Sequence, residues 1–289
     1  MISCRRIVLL LLFLVMFACS QQEAENINFT IIRVGVLPDQ NVAILEQRYS
    51  PLLSYLEKET GLKYELVIPG SYIDLLELFN TKEINMAYFG AVTFLKARSD
   101  SGAEPLVTRD VDNRFTSVIL VSAESNAQKL EDIEDHSFSF GSRLSTSGHL
   151  MPRYFLEERN IKAEDHFREI HYSGAHDETV YSVQSGRVDA GAVNAVVVKT
   201  MLSDGRLKKG KTRILWESPP YQDYIWAIQR DMSAETRIAV RDAFLSLSKD
   251  VPVHRKVLAE IGANYFLPAR IADFEKLQSI FDKISPITR

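Results

Sequence analysis

The feature that most restricts the fold is an alternation. Short apolar runs give way to amphipathic runs of helical spacing, and the same order comes round twice along the chain. Residues 31–37 make an apolar strand ending at Pro38-Asp39. Residues 46–60 then set Tyr49, Leu52, Leu53 and Leu56 on one face of a helix, which Gly61 stops. A strand over 64–68, a helix over 72–79, a strand over 84–89 and a helix opened by Gly90-Ala91 complete the first half. The second half offers a strand over 138–140, a helix running to about Asn160, a strand over 169–172, a helix from Gly174-Ala175-His176-Asp177, and a strand over 188–193. Strands alternating with helices at this spacing require βαβ units and a mostly parallel sheet, so the chain is α/β. Two long extended runs, near 115–121 and 215–228, divide it. The economical plan is two lobes joined by two crossovers: 29–116 with 226–289, and 117–225. A single doubly wound domain is the structural rival.

The first residues stand apart from this plan. Arg5-Arg6 precedes an uncharged apolar run over 7–17 that is too short to span a bilayer comfortably, and Ala18-Cys19-Ser20 follows. The spacing reads as a lipoprotein leader, 1–18, cleaved before a lipidated Cys19, with a polar tether over 19–28. Met16 and Phe17 depart from the usual small or aliphatic residues there, and an uncleaved N-terminal anchor is the rival. Either way the expected location is the outer face of a membrane. The other cysteine, Cys4, lies in the leader, so the mature chain is expected to hold no disulfide, thiolate metal site or cysteine nucleophile. Losing the leader removes two arginines and no acid, which moves the net charge from −4 to −6. A mildly acidic exported domain is a poor partner for nucleic acid. Any anion it binds must be held by local donors, since there is no broad basic field.

One stretch offers such donors. After the strand at Phe138-Ser139-Phe140 come Ser145-Thr146-Ser147-Gly148 and Pro152, which is the chemistry of a helix start. The first amides of a helix lack intrahelical acceptors and lie at the positive end of its dipole. Hydroxyls beside them make an uncharged nest of donors suited to a small tetrahedral oxyanion. Ordinary N-capping uses the same residues, and this stretch alone does not choose between the two.

The hydroxyl loop also resembles the ligand motif of the phosphate/phosphite/phosphonate-binding proteins of ABC importers, the PhnD type. The resemblance runs from Val34-Gly35-Val36 to Asn264-Tyr265-Phe266-Leu267-Pro268. Its ordered pieces are the first helix from Tyr49, Tyr72, Met86-Ala87-Tyr88-Phe89-Gly90, Ser145-Thr146-Ser147-Gly148, Ser173-Gly174-Ala175-His176-Asp177, Val188-Asp189-Ala190-Gly191-Ala192 and Asp223. It implies a two-lobed type II periplasmic-binding-protein fold, an ABC permease as partner, a monomeric working state, no cofactor or metal, and no catalysis. It also implies ligand contacts from Tyr72, Tyr88, Ser145, Thr146, Ser147, His176 and Asp223.

Each of these residues has chemistry to match. The serine and threonine hydroxyls and amides can hold oxygens, the two phenols can donate from the facing lobe, and His176 can donate and become partly protonated beside an anion. Asp223 can approach an oxyanion only where it accepts from a protonated oxygen, so it would select a P–OH form. Without the resemblance, Tyr72 and Tyr88 read as core, His176 as a satisfied helix-start residue and Asp223 as a turn residue after Pro219-Pro220. Asp189 reads as a structural cap, and His149 as either a ligand contact or a solvent-facing residue. In relatives resembling aminoethylphosphonate binders an acid beyond the Val-Asp strand holds the amine. Here Asn194-Ala195-Val196-Val197-Val198 has none, which favours phosphate, phosphite or a simple phosphonate. The rivals are a sensor domain for a membrane histidine kinase and a serine hydrolase; no Gly-x-Ser-x-Gly elbow or metal-ligand pair supports the latter.

Overall fold

The computed structural model describes residues 31–284; the expected leader, Cys19 and tether lie outside the described residues. Strand β1 (Ile31–Val36) is followed by helix α1 (Val42–Thr60), β2 (Lys63–Val67), α2 (Tyr72–Asn80), β3 (Met86–Phe89), α3 (Ala91–Ser101) and β4 (Glu104–Arg109). A 3₁₀ turn over Asp110–Arg114 leads to β5 (Ser117–Ser122), and a second over Leu130–Ile133 to β6 (Ser137–Phe140). Then come α4 (Met151–Glu157), α5 (Ala163–His166), β7 (Glu169–Tyr172), α6 (His176–Gln184), β8 (Ala190–Asn194), α7 (Ala195–Ser203) and β9 (Thr212–Glu217). The chain closes with β10 (Ile225–Ile228), α8 (Ala234–Leu245), α9 (Pro252–Glu260), β11 (Phe266–Pro268) and α10 (Glu275–Ile284).

The strands form two separate sheets, ordered β11-β4-β10-β3-β1-β2 and β7-β6-β8-β5-β9. In the first, β1 pairs in parallel with β2 and β3, while β10 runs antiparallel between β3 and β4. In the second, β6 pairs in parallel with β7 and β8, and β5 is antiparallel to β8 and β9. The chain passes from the first sheet to the second between β4 and β5, and returns between β9 and β10. These two passages touch: Phe115 and Tyr221 exchange backbone hydrogen bonds of 2.9 and 3.0 Å. An antiparallel bridge between two crossovers ties the lobes where the fold can bend.

Burial follows the alternation. In β5, Ile119 and Val121 pack with Phe138, Phe140, Ala190 and Ala192 on one face, while Val118 and Leu120 pack with Val180, Val183 and Val193 on the other. A sheet covered on both faces takes apolar residues on both sides, so its strands read as continuous hydrophobic runs.

Several boundaries differ from expectation for local reasons. Helix α1 begins at Val42 because the Asn41 side chain accepts from the Ala43 amide at 3.0 Å. Strands β4 and β11, too short or interrupted by Pro105 and Pro268, gave no clear sequence signal. The helix after the hydroxyl loop opens on a π turn over Thr146–Leu150, where the Leu150 amide reaches back to the Ser145 carbonyl at 3.0 Å. Asp189 is structural, as read: Oδ2 accepts from the Ser137 amide and hydroxyl at 2.9 and 2.7 Å.

Candidate functional site

The hydroxyl loop sits at the end of β6 and faces the start of α3 in the other lobe. Ser145 caps the π turn, its hydroxyl accepting from the Gly148 amide at 2.9 Å. Gly148 has no room for a side chain, since a Cβ there would lie 2.9 Å from His176 Cε1 and 3.0 Å from Ser145 Oγ. The Gly148 carbonyl accepts from the Gly141 amide at 2.9 Å, which closes the loop on itself. The loop is also fastened to the crossovers. Ser117 Oγ donates to the Ser147 carbonyl at 2.7 Å and lies 2.5 Å from the Tyr221 hydroxyl.

The first two amides of α3 point across the cleft. Val92 N–H donates to Thr146 Oγ1 at 3.1 Å, and Ala91 N–H donates to Asp223 Oδ1 at 3.1 Å. Gly90, just before them, leaves the space that both partners occupy: a Cβ would lie 3.2 Å from Thr146 Oγ1 and 3.5 Å from Asp223 Oδ1. A helix start in one lobe is thereby satisfied by a hydroxyl of the other lobe and a carboxylate of the crossover. A second set of bonds crosses nearby. His176 N–H donates to the Asp39 carbonyl at 2.9 Å, and Asn41 N–H donates to Asp177 Oδ2 at 2.8 Å.

All seven expected site residues are buried, and six of them converge on this junction. Ser147 Oγ, His176 Nε2 and Asp223 Oδ2 are buried without a hydrogen-bond partner. The Ser147 hydroxyl lies close to both Asp223 and Tyr221, yet bonds to neither in proper geometry. Buried polar atoms are nearly always bonded, so three orphans in one place make this junction the candidate site. The phenol of Tyr72 reaches the Ser145 hydroxyl from the facing lobe, and burial raises its pKa well above 10.

The protonation states are set by burial. Asp223 is pushed up to about 7, first by desolvation, with the hydrogen bond from the Ala91 amide opposing the rise. His176 is pushed down to about 3, again by desolvation. Asn194 N–H points at its Nδ1 from 3.4 Å, so the neutral ring carries its hydrogen on Nε2, the unpartnered nitrogen. His176 is thus a neutral donor, where the sequence suggested partial protonation.

Two further residues differ from expectation. The Tyr88 hydroxyl donates to Asp112 Oδ2 at 3.2 Å, so it offers the cleft its ring, which stacks on Tyr224 with centroids 5.1 Å apart. Asp112 in turn holds Arg109 at 2.6 and 2.9 Å. His149 is buried, with Nδ1 2.8 Å from the Arg143 carbonyl and Nε2 facing Arg153 Nε at 3.3 Å. Both nitrogens are engaged in structure, and burial lowers its pKa to about 4.

Sequence reasoning missed Asp39, Asn194 and Tyr224. Tyr224 OH donates to Asp39 Oδ2 at 3.2 Å and accepts from Asn194 Nδ2 at 3.1 Å. Asn194 also caps α7, its Oδ1 accepting from the Val196 and Val197 amides. Asp39 reads as a strand end, Asn194 only as the first residue of a segment without an acid, and Tyr224 only as part of an extended crossover run. Nothing local separates such positions from ordinary ones.

Residues 34–274 match the family described as ABC transporter, phosphonate, periplasmic substrate-binding protein. The chain is 30% identical over 275 residues to a probable ABC transporter phosphite binding protein, PhnD1, from Prochlorococcus marinus MIT 9301, covering 90% of this chain and 92% of that one. It is 29% identical over 218 residues to the phosphate-import protein PhnD of Mycolicibacterium smegmatis, covering 71% and 68%. The solved structure of the Prochlorococcus protein in complex with methylphosphonate superposes with a TM-score of 0.83 at 28% identity, covering 89% of this chain and 99% of that one.

Proposed function

The chain belongs to the periplasmic substrate-binding family of phosphonate ABC transporters, and on that premise we propose that it takes a small phosphorus oxyanion in a singly protonated form. Phosphate, phosphite and simple phosphonates fit the description. The relatives bind ligands of this class by name, as phosphite, phosphate and methylphosphonate proteins. The observation that carries the reading is the trio of unpartnered buried atoms. Ser147 Oγ and His176 Nε2 are neutral donors for charged oxygens, while Asp223 Oδ2 accepts the proton of a P–OH group. Ser145, Thr146 and Tyr72 shape and fasten the cradle, and Tyr88 walls it. The moving bodies are residues 29–116 with 226–289, and 117–225. Closure brings α3 onto the hydroxyl loop and seals the ligand from water.

The same proposal sets the domain at the membrane through a lipid on Cys19, as a monomer that delivers ligand to its permease. Cys19→Ser should move the protein out of the membrane fraction; retention there with the leader attached supports an uncleaved anchor instead. The ligand reading is tested by calorimetric titration of the protein with phosphate, phosphite, methylphosphonate and sulfate. Binding of at least one phosphorus anion with little or no binding of sulfate is expected. Equal binding of sulfate contradicts the role given to Asp223.

A further inference from the structure

His149 is part of the π turn that carries the hydroxyl loop, and it is 2% exposed. Its ring packs edge-on against Phe140 at the end of β6 and Tyr172 at the end of β7, with centroids 5.1 and 5.3 Å away. Its Nδ1 lies 2.8 Å from the Arg143 carbonyl. One hydrogen bond therefore joins the residues on either side of Ser145-Thr146-Ser147-Gly148.

Arg153, which is 1% exposed, decides which way that bond runs. A guanidinium only donates, so His149 Nε2, 3.3 Å from Arg153 Nε, must accept. The hydrogen of the neutral ring is then on Nδ1, where it is given to the Arg143 carbonyl. Arg153 is itself held on three sides. Its Nη1 donates to both oxygens of Glu164 on α5 at 2.7 and 2.8 Å, and its Nη2 donates to Tyr172 OH at 3.2 Å. A buried guanidinium is costly unless its donors are used, which keeps this one in place. Burial first, with the charges of Arg153 and Arg143, keeps His149 neutral, against the pull of the Arg143 carbonyl and Glu164.

We propose that His149 and Arg153 are positioning residues for oxyanion binding: Arg153 holds the His149 ring in its Nδ1–H form, and that hydrogen clasps the hydroxyl loop in its binding geometry. With both nitrogens engaged, the ring acts on the anion through the loop and not by contact. The bonds at Gly141–Gly148 and Ser145–Gly148 close the turn on itself. The clasp adds what they lack, since it sets the turn against the ends of β6 and β7 through Phe140 and Tyr172. A ring with its hydrogen on Nε2 would turn a donor towards the guanidinium donor and leave the Arg143 carbonyl unpaired.

This inference rests on the proposed oxyanion cradle, and the experiment separates the two. Nitrogen–proton NMR spectra of histidine-labelled wild type should place the His149 hydrogen on Nδ1. Calorimetry with phosphate, phosphite and methylphosphonate then compares three variants. His149→Asn puts an amide donor near the Nδ1 position, and His149→Leu keeps the shape of that asparagine without the donor. His149→Gln reaches the Nε2 position and offers the Arg143 carbonyl nothing. His149→Asn should keep wild-type affinity within about threefold, while His149→Leu and His149→Gln should each bind at least tenfold more weakly. A histidine that only supports the fold would lower the thermal midpoint and leave the affinity of the folded protein unchanged. A hydrogen on Nε2 in wild type, full affinity in His149→Leu or His149→Gln, or equal losses in all three variants overturns the clasp and leaves the cradle standing. If wild type binds none of the three anions, both fall. Should His149→Leu fail to fold, His149→Gln and the wild-type spectrum still decide.

Discussion

Asp223 accepts the Ala91 amide through Oδ1 at 3.1 Å, while its Oδ2, fully buried, has no partner. One oxygen is thereby tied to the start of α3 and the other is left facing the cradle. Once ionised, above about pH 7, the carboxylate in that position rejects an oxyanion without a proton, because like charges repel in a dry site and neither group keeps a hydrogen bond. With a P–OH group the same carboxylate is an acceptor. Shape cannot make this distinction between phosphate and sulfate, and the neutral donors of Ser147 and His176 cannot either.

Thr146 should report on closure. Thr146→Val keeps the side-chain shape but removes the acceptor of the Val92 amide, leaving a buried N–H that costs about 1–3 kcal/mol in the closed form alone. The ligand-free variant should show a larger radius of gyration by small-angle X-ray scattering than the wild type. Ligand affinity should fall by a similar free energy. An unchanged radius with unchanged affinity means that this bond does not favour closure.

Gly148 should be intolerant of substitution. Gly148→Ala places a methyl 2.9 Å from His176 Cε1 and 3.0 Å from Ser145 Oγ, two groups that cannot both retreat without opening the loop. Overpacking of this kind costs about 1–3 kcal/mol, so the thermal midpoint should fall and oxyanion affinity should drop by more than tenfold. Wild-type affinity in the variant would show that the loop relaxes freely and that its geometry is not what binds.

The raised pKa of Asp223 makes a claim about pH. Its folded value of about 7 lies above the ordinary 3.8, so between these values the folded, ligand-free protein holds a proton that the unfolded chain has released. The contribution to stability is full below about 4 and is lost as pH rises through 7, by about 1.4 kcal/mol for each pK unit of difference. His176, lowered to about 3, acts in the opposite direction over 3 to 6.5, but it is common to both proteins compared. Denaturant unfolding should therefore show wild type losing stability relative to Asp223→Asn between pH 4.5 and 7.5. A difference that stays constant across that window contradicts a buried, proton-holding Asp223.

The α/β plan was legible because it rests on patterns local in sequence. The strand over 169–172 and the helix opened by Gly174-Ala175-His176-Asp177 fall where periodicity and capping residues put them. The hydroxyl loop was legible too, since Ser145-Thr146-Ser147-Gly148 is contiguous and its chemistry is that of a helix start. What stayed hidden depends on contacts between distant residues. Tyr88 looks like a phenolic donor until Asp112 is found beneath its hydroxyl, and His149, open between ligand contact and solvent-facing residue, is buried with both nitrogens engaged by Arg143 and Arg153. Asp39 is separated from Tyr224 by 185 residues, and no spacing rule joins them.

The most direct test of the account is one titration series at pH 8, where Asp223 is ionised: phosphate, phosphite and sulfate against wild type, Asp223→Asn and Ser147→Ala. Wild type should favour the phosphorus anions over sulfate by at least tenfold. Asp223→Asn should bring that ratio towards unity, because an amide can donate to the oxygen that the carboxylate repels. Ser147→Ala should weaken every anion by about 1–3 kcal/mol and leave the ratio intact. A wild type that takes sulfate as readily as phosphate, or an Asp223→Asn variant that keeps the wild-type ratio, would contradict the account.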